Sequence, residues 1–350
     1  MDIFQLFDFV IEKQGSDLHL VPGFFPAVRI HGELYQARSG ELLTEEVSNK
    51  IIFALLTEEQ KTNLLANREI DFGYDYQGQR FRANVYYARN KLSGAFRLIG
   101  SKIKTIEDLG LPKIFYDFTQ YNQGLVLVTG PTGQGKSTTL ASMINEINLK
   151  SSKHILTIED PIEYVYPQGK SIVSQRELHQ DSHSWNIALR SVLREDPDVV
   201  LIGEMRDYDA IQAALIIAET GHLVFSTLHT GSTPEAINRI VDVFPPSQQN
   251  QIRTQLSAVL KVVIAQRLIP NIDKTKLLPG IEILINLPSV GSVIRDGRTH
   301  LLDNIIETSE DQGLLLFEKH LVSLYQKGLV SQETVLKYAI RPNEVKKFMK

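Results

Sequence analysis

The sequence predicts an α/β protein, with a parallel sheet wrapped by helices, a small α+β domain before it and a helical segment after it. Three observations lead there. The apolar run GLVLVT at 124–129 has the character of a buried strand, and a glycine-rich loop and helical pattern follow it directly. From there to about residue 287 strand and helix signals alternate, the rhythm of βαβ units whose sheet is covered on both faces. Beyond Pro288 the strand signals stop.

The elements follow from local pattern. Residues 3–13 carry Ile3, Phe4, Leu6, Phe7, Val10 and Ile11 at helical spacing, with Gly15 expected to stop the helix. Residues 16–21 alternate as a strand turned by Pro22 and Gly23. Residues 27–30 and 33–35 form a hairpin about His31 and Gly32. Thr44 opens a helix bearing Val47, Ile51, Ile52 and Leu55, and TEEQ at 57–60 has the capping-box pattern. Strands return over 69–98, where alternation puts Arg80, Arg82 and Asn84 on one face and Phe81, Ala83 and Val85 on the other. The expected organisation is a domain over 1–99, a polar linker over 100–108, a nucleotide-binding domain over 109–288 and a helical subdomain over 289–350. Within these, Leu109 to Tyr121 is expected as a helix. Leu314 to Tyr325 forms another, ended by Lys327 and Gly328, and Ser331 caps one that runs to about Ile340, where Arg341 and Pro342 break it.

Composition bounds the function. The 350 residues are 43% hydrophobic and 22% charged, with net charge −4, which is the balance of a globular protein and offers no wholesale nucleic-acid footprint. No cysteine is present, so disulfides and cysteine-ligated metal sites are excluded, in keeping with a reducing cytoplasm. No apolar run reaches the length of about 18 residues that a membrane helix needs. The first ten residues lack the basic region of a signal peptide, so any membrane association is expected to be peripheral.

The chemistry concentrates around GPTGQGKSTT at 130–139. Gly130, Pro131, Thr132, Gly133, Gln134, Gly135, Lys136 and Ser137 fit the G-x-x-x-x-G-K-[ST] phosphate loop, and Thr138 begins the helix body. Glycines there adopt angles closed to other residues, so successive N–H groups turn inward around a phosphate beside the positive end of the helix. Lys136 would reach the β- and γ-phosphates and the Ser137 hydroxyl would hold Mg²⁺, so the loop implies a nucleoside triphosphate such as ATP. VVLIGE at 199–204 is an apolar strand closed by Glu204, placed to polarise the attacking water or to help hold Mg²⁺; alone it would read as a surface glutamate. Glu159, Asp160 and Glu163 close another strand, either as a solvated loop or as carboxylates that orient water and hydrated Mg²⁺. His222 and His229 bracket the strand 223–228, as structural residues or as sensors of the γ-phosphate. Arg82 and Arg97 are either solvated strand-face residues or a charge clamp supplied in trans by a neighbouring subunit.

Together these motifs closely resemble the secretion ATPase superfamily and, within it, the type IV pilus retraction (PilT-like) ATPases. The matching stretches are the phosphate loop at 130–139, TIEDPIEY at 157–164, LREDPDVVLIGEMRD at 193–207 and AETGHLVFSTLHT at 218–230. GSDLH at 15–19 and RFRAN at 80–84 are similar to the N-terminal PAS-like domain of that family, so the resemblance spans nearly the whole chain. It implies a RecA-like core and a homohexameric ring with nucleotide between the PAS-like and RecA-like domains. By resemblance Glu204 is the catalytic glutamate and Glu159, Asp160 and Glu163 support water and metal. His222 and His229 link nucleotide state to domain movement, and Arg82 and Arg97 approach the phosphates. The implied task is pilus retraction from the cytoplasmic side of the inner membrane, acting on the platform protein at the pilus base.

Two features divide the readings further. The chain starts at the PAS-like domain and lacks the four-cysteine zinc site of many assembly and type II secretion members, which favours the retraction branch. Of the AIRNLIR motif usual in retraction enzymes, the stretch 289–298 clearly keeps only Ile294 and Arg295, which leaves room for a PilU-type accessory ATPase working with a paralogous sister motor. A ring scaffold without turnover is disfavoured by the joint presence of Lys136 and Glu204. A nucleic-acid motor is disfavoured by the acidic balance and by the lack of a basic stripe with interleaved aromatics.

Overall fold

The computed structural model describes residues 2–30, 32–37, 41–100 and 103–349. His31, expected in a hairpin turn, lies outside them, as do Ser101 and Lys102 of the expected linker. The chain divides into two compact units. One contains the described residues of 1–102 with Asp160–Val165 and Glu177–Asp181; the other contains Ile103–Glu159, Tyr166–Arg176 and the rest of the chain from Ser182.

The first unit runs α1 (Ile3–Glu12), β1 (Asp17–Leu20), β2 (Ala27–Ile30), β3 (Glu33–Gln36), α2 (Glu45–Phe53), α3 (Glu58–Asn67), β4 (Glu69–Tyr76), β5 (Gln79–Ala88) and β6 (Lys91–Ile99). Its strands make one antiparallel sheet in the order β3-β2-β1-β6-β5-β4. The capping box forms as the sequence pattern requires, with Thr57 and Gln60 exchanging side-chain and backbone hydrogen bonds at the start of α3. Period-two alternation divides the sheet. Leu18, Phe81, Ala83, Val85 and Phe96 are fully buried, and Phe7 of α1 stacks on Phe81 with ring centres 4.1 Å apart. The other face carries Arg29, Asp17, Arg97 and Arg82 in one cross-strand row. The stop of α1 differs from expectation: Lys13 is the C-cap and Gln14, not Gly15, takes the left-handed angle, at φ 52°. Gly15 is needed for space, because a Cβ there would sit 2.6 Å from Val28. Buried Glu177 also belongs to this unit, accepting the N–H groups of Gly73 (2.7 Å) and Ile162 (3.1 Å) and pairing with Arg80.

The second unit runs α4 (Phe115–Phe118), β7 (Gly124–Thr129), α5 (Lys136–Lys150), β8 (His154–Glu159), β9 (Ile172–Glu177, its last residue in the first unit), α6 (Trp185–Val192), β10 (Val199–Ile202), α7 (Tyr208–Glu219) and β11 (Leu223–Leu228). It continues through α8 (Thr233–Asp242), α9 (Pro246–Val259), β12 (Leu260–Pro270), β13 (Leu277–Ile285), α10 (Pro288–Arg295), α11 (Leu302–Thr308), α12 (Phe317–Gln326), α13 (Gln332–Tyr338) and α14 (Pro342–Phe348). The sheet order is β13-β12-β7-β11-β10-β8-β9. The pairs from β12 through β8 are parallel, but β13 lies antiparallel on β12. The link 271–276 is too short for the crossover that a parallel neighbour demands, which is about a dozen residues. The expected helix over 109–121 shrinks to α4, because Gly110 stands at φ 69° and Pro112 has no N–H to continue a helical ladder. No helix among the described residues is long and apolar enough to cross a membrane.

The last helices are tied to the sheet by one guanidinium. Arg341 donates to Glu282 of β13 (3.0 Å), to Glu318 of α12 (3.0 Å) and to Asp303 of α11 (2.5 Å). Glu282 and Glu318 are fully buried. Glu318 also accepts the N–H groups of Ile340 and Arg341, and Glu282 accepts the N–H and hydroxyl of Thr233, both at 2.9 Å. A buried pair whose cation is removed leaves uncompensated charge, so Arg341→Met should cost about 3 kcal/mol of stability, read from urea unfolding at pH 7.

His320 of α12 supplies a second prediction. Its Nδ1 accepts the Ile281 N–H at 2.9 Å, so the neutral ring carries its proton on Nε2. Burial, reinforced by the charge of Lys327, pushes its pKa down to about 4. The unfolded chain therefore binds this proton more tightly than the folded one. Stability is fully present above about pH 6.5 and falls by up to about 3 kcal/mol as the pH drops toward 4. His320→Gln retains an acceptor for Ile281 and should flatten the decline of the urea midpoint between pH 7 and 5.

Candidate functional site

Because β7, β8, β10 and β11 are parallel, their carboxyl ends share one edge of the sheet, and that edge carries the site. All six residues of β7 are buried, so the strand is a fixed base for the loop that leaves it. Gly130, Gly133 and Gly135 adopt φ of 153°, 76° and 77°, and Gly135 is the residue from which α5 starts. Lys136, 7% exposed, donates from Nζ to the carbonyls of Gly130 (2.9 Å) and Pro131 (3.0 Å). Pro131 and Thr132 are exposed, while Gln134, Ser137 and Thr138 are half-buried.

Two carboxylates and one histidine stand at the same edge. Glu204 follows β10 and Gly203, and its Oε1 lies 3.2 Å from His229 Nε2. His229 Nδ1 lies 3.2 Å from the Thr132 hydroxyl of the phosphate loop, so the imidazole spans from that loop to the carboxylate. Arg206 donates from Nε to the other Glu204 oxygen at 2.8 Å. A cleft of about 390 Å³ opens beside them, lined also by Glu235 and Arg239. Glu159 ends β8, 8% exposed, and takes hydrogen bonds from the Thr157 hydroxyl (2.7 Å) and the Gln175 amide (3.3 Å). Gly203 packs against it, since a Cβ there would lie 3.4 Å from Glu159 Cα.

The other expected residues are distributed differently. His222 does not join the group. It stands at the amino end of β11, with Nδ1 near the Ile217 carbonyl (3.0 Å) and the Thr220 hydroxyl (3.1 Å), where it finishes the loop after α7. The length of β11, about 20 Å at 3.3 Å per residue, separates it from His229, so it has no direct reach to a phosphate at the other edge. Asp160, exposed, and Glu163, half-buried, fall in the segment that clusters with the first unit. Arg82 and Arg97 are cross-strand neighbours in that unit. Arg97 is exposed, but its Nε is held at 2.8 Å by Asp17, leaving the outer nitrogens available. Burial works to raise the Asp17 pKa, yet the Ser16 hydroxyl and the Arg97 guanidinium together keep it below the usual carboxylate range.

Several supporting groups escape a motif search. Thr129 ends β7, and its hydroxyl lies 2.6 Å from the Thr230 hydroxyl and accepts the Thr230 N–H at 3.0 Å, joining the root of the phosphate loop to the residue after His229. Gln266 of β12, 2% exposed, reaches the loop itself. Its only sequence signal is an amide that, with Arg267, interrupts the otherwise apolar stretch 262–269. Among the described residues no group of three or more metal-ligating side chains forms a cage. This donor set fits Mg²⁺ nonetheless, because that ion keeps several waters and binds through one or two carboxylates or hydroxyls together with phosphate oxygens.

Residues 104–341 match the Type II/IV secretion system protein family. The type IV pilus retraction ATPase PilT of Pseudomonas aeruginosa is 41% identical to the chain, over 98% of this chain and 99% of its own length. The type IV pilus ATPase PilU of the same organism is 36% identical over 100% of this chain and 92% of its own. A crystal structure of the pilus retraction motor PilT with bound ADP superposes with a TM-score of 0.92 at 40% identity, covering 99% of each chain. The chain therefore belongs to the secretion ATPase superfamily as a PilT-like type IV pilus retraction ATPase, a family that binds nucleotide.

Proposed function

We propose that this protein is a homohexameric motor that spends ATP to withdraw pilin subunits, acting from the cytoplasmic side on the inner-membrane platform protein at the pilus base. The observation that carries this reading is likeness over nearly the full chain length to a retraction motor, 41% in sequence and 0.92 in TM-score. The convergence of Thr132, His229 and Glu204 supports a site built for turnover.

In this reading the N–H groups of 130–136 and the Lys136 ammonium bind the phosphates. Glu204 orients the attacking water and accepts its proton, at the end of a rigid strand and steadied by Arg206. His229 connects Glu204 to Thr132, so a shift of the loop on loss of the γ-phosphate moves the carboxylate with it. Ser137 and Glu204, with Glu159 behind them, would hold Mg²⁺, which supplies charge neutralisation on the phosphates. Asp160 and Glu163 would support water, the role that the family resemblance implies. Arg82 and Arg97 bring positive charge to the phosphates of a neighbouring subunit, with Asp17 aiming Arg97. Rigid-body rotation between states that bind ATP and ADP differently converts hydrolysis to movement. His222 has no direct part in this chemistry.

A second reading, an accessory ATPase dependent on a paralogous sister motor, is favoured by the altered stretch 289–298 and by the full-length likeness to PilU. ATP hydrolysis by the purified protein alone separates the two. Turnover well above a Glu204→Gln blank, in a hexameric fraction, marks an autonomous motor; turnover only with the sister protein marks the accessory.

Two predictions test the roles. Lys136→Ala should weaken ADP binding about 10- to 100-fold, measured by titration calorimetry, while Glu204→Gln binds ADP normally and loses turnover by about a hundred-fold or more. Normal turnover in Glu204→Gln would remove that residue from the mechanism. Mixed rings of Arg97→Ala and Glu204→Gln subunits should recover part of the wild-type rate, because both lesions can then fall on one shared site and leave other sites with an intact Glu204 and an intact Arg97. Mixed rings that form yet stay inactive count against an arginine supplied in trans.

A further inference from the structure

We infer that Gln266 is a positioning residue for nucleotide binding, which sets the phosphate loop from behind and, with Gln134, locks it to β12. The inference rests on 130–137 as the phosphate site and adds a residue that touches no phosphate itself.

The parallel pairing of β12 with β7 ends at Ala265 opposite Thr129. Past that point β12 still pairs with β13 on one side, but on its β7 side it faces the loop rather than a strand, and the polar groups there need partners of another kind. Gln266 and Gln134 provide them reciprocally. The Gln266 Nε2 donates to the Gln134 carbonyl at 2.7 Å, and its Oε1 accepts the Thr139 hydroxyl of α5 at 2.7 Å. The amide orientation is fixed, because a carbonyl can only accept. In return the Gln134 Oε1 accepts the Leu268 N–H of β12 at 2.6 Å. One buried side chain thus ties loop to helix, and one loop side chain ties loop to strand.

The stereochemical consequence concerns Gly135. A trans peptide points its C=O and the following N–H in opposite directions. Holding the Gln134 carbonyl toward β12 therefore turns the Gly135 N–H away from β12, to the side where the loop receives a phosphate. Gly133 and Gly135 have no side chains with which to choose that orientation. Close approach is also required. A Cβ on Gly130 would come within 2.3 Å of the Gln266 carbonyl oxygen, and one on Gly135 within 3.0 Å of the Gln266 amide nitrogen. Space filling alone does not account for the residue, since an apolar side chain like those around it would avoid burying an amide.

The test uses the full-length protein, with ADP as the titrant and steady-state ATP hydrolysis beside it. Gln266→Met keeps the length of the side chain and removes both of its hydrogen bonds. It should raise the Kd for ADP and the KM for ATP about ten-fold, while kcat at saturation changes far less. Gln134→Ala, which removes only the return bond to Leu268, should raise the Kd about three-fold, and Thr139→Val, which removes the partner of the Gln266 Oε1, should do the same and decides the matter if Gln266→Met does not fold. Wild-type ADP binding in the folded variants, or a fall in kcat as large as the rise in KM, overturns the inference. Lys136→Ala measured in parallel separates the two levels. Wild-type binding there overturns the phosphate-site reading, whereas weakened binding there beside a normal Gln266→Met overturns the clamp alone.

Discussion

A loop rich in glycine cannot hold its own shape, and the phosphate-loop motif depends on what holds it from outside. Between Thr129 and Lys136 the chain relies on three glycines at positive φ, each with wide conformational freedom. The surroundings supply the order. The fully buried strand β7 fixes one end, the first turn of α5 fixes the other, and β12 supports the middle through Gln266 and Leu268. The close contact of Gly130 with the Gln266 carbonyl shows why glycine is required there for space as well as for angle.

From that loop a short polar chain leads to Glu204 and beyond. Thr132 meets His229, His229 meets Glu204, and Thr129 meets Thr230 on the same connecting segment. Three residues later Thr233 opens α8 by donating twice to Glu282, whose other oxygen receives Arg341. The segment 229–233 is thus pinned at one end to the base of the phosphate loop and at the other to a buried ion cluster that anchors the C-terminal helices. A continuous set of hydrogen-bonded groups thus joins the phosphate-loop motif to those helices.

The charged row on the first unit follows a different logic. Asp17 sits between Arg29 and Arg97, and Arg82 stands opposite Arg97 with no carboxylate between them. Like charges in register across a sheet repel, and a row with more guanidinium than carboxylate is suited to an anion. The aiming of Arg97 by a buried aspartate is a tertiary feature that the alternation of β5 and β6 does not reveal.

The sequence determined a good deal by itself. The β7–loop–α5 unit, the carboxylate after β10 and the histidine after β11 are legible because strand, turn and helix signals there are local, and so is the alternation that buries Phe81, Ala83 and Val85. Local pattern misled where a single residue outweighed it: Gly110 and Pro112 cut the helix expected over 109–121, and Gln14 rather than Gly15 ended α1. Other facts were decided only in three dimensions. The Arg341 cluster and the Gln266 clamp each join positions far apart in the chain, Arg341 to Glu282 across 59 residues and Gln266 to Gln134 across 132. Hydrogen bonds of that kind leave no periodicity behind, only a polar residue where an apolar one would be expected.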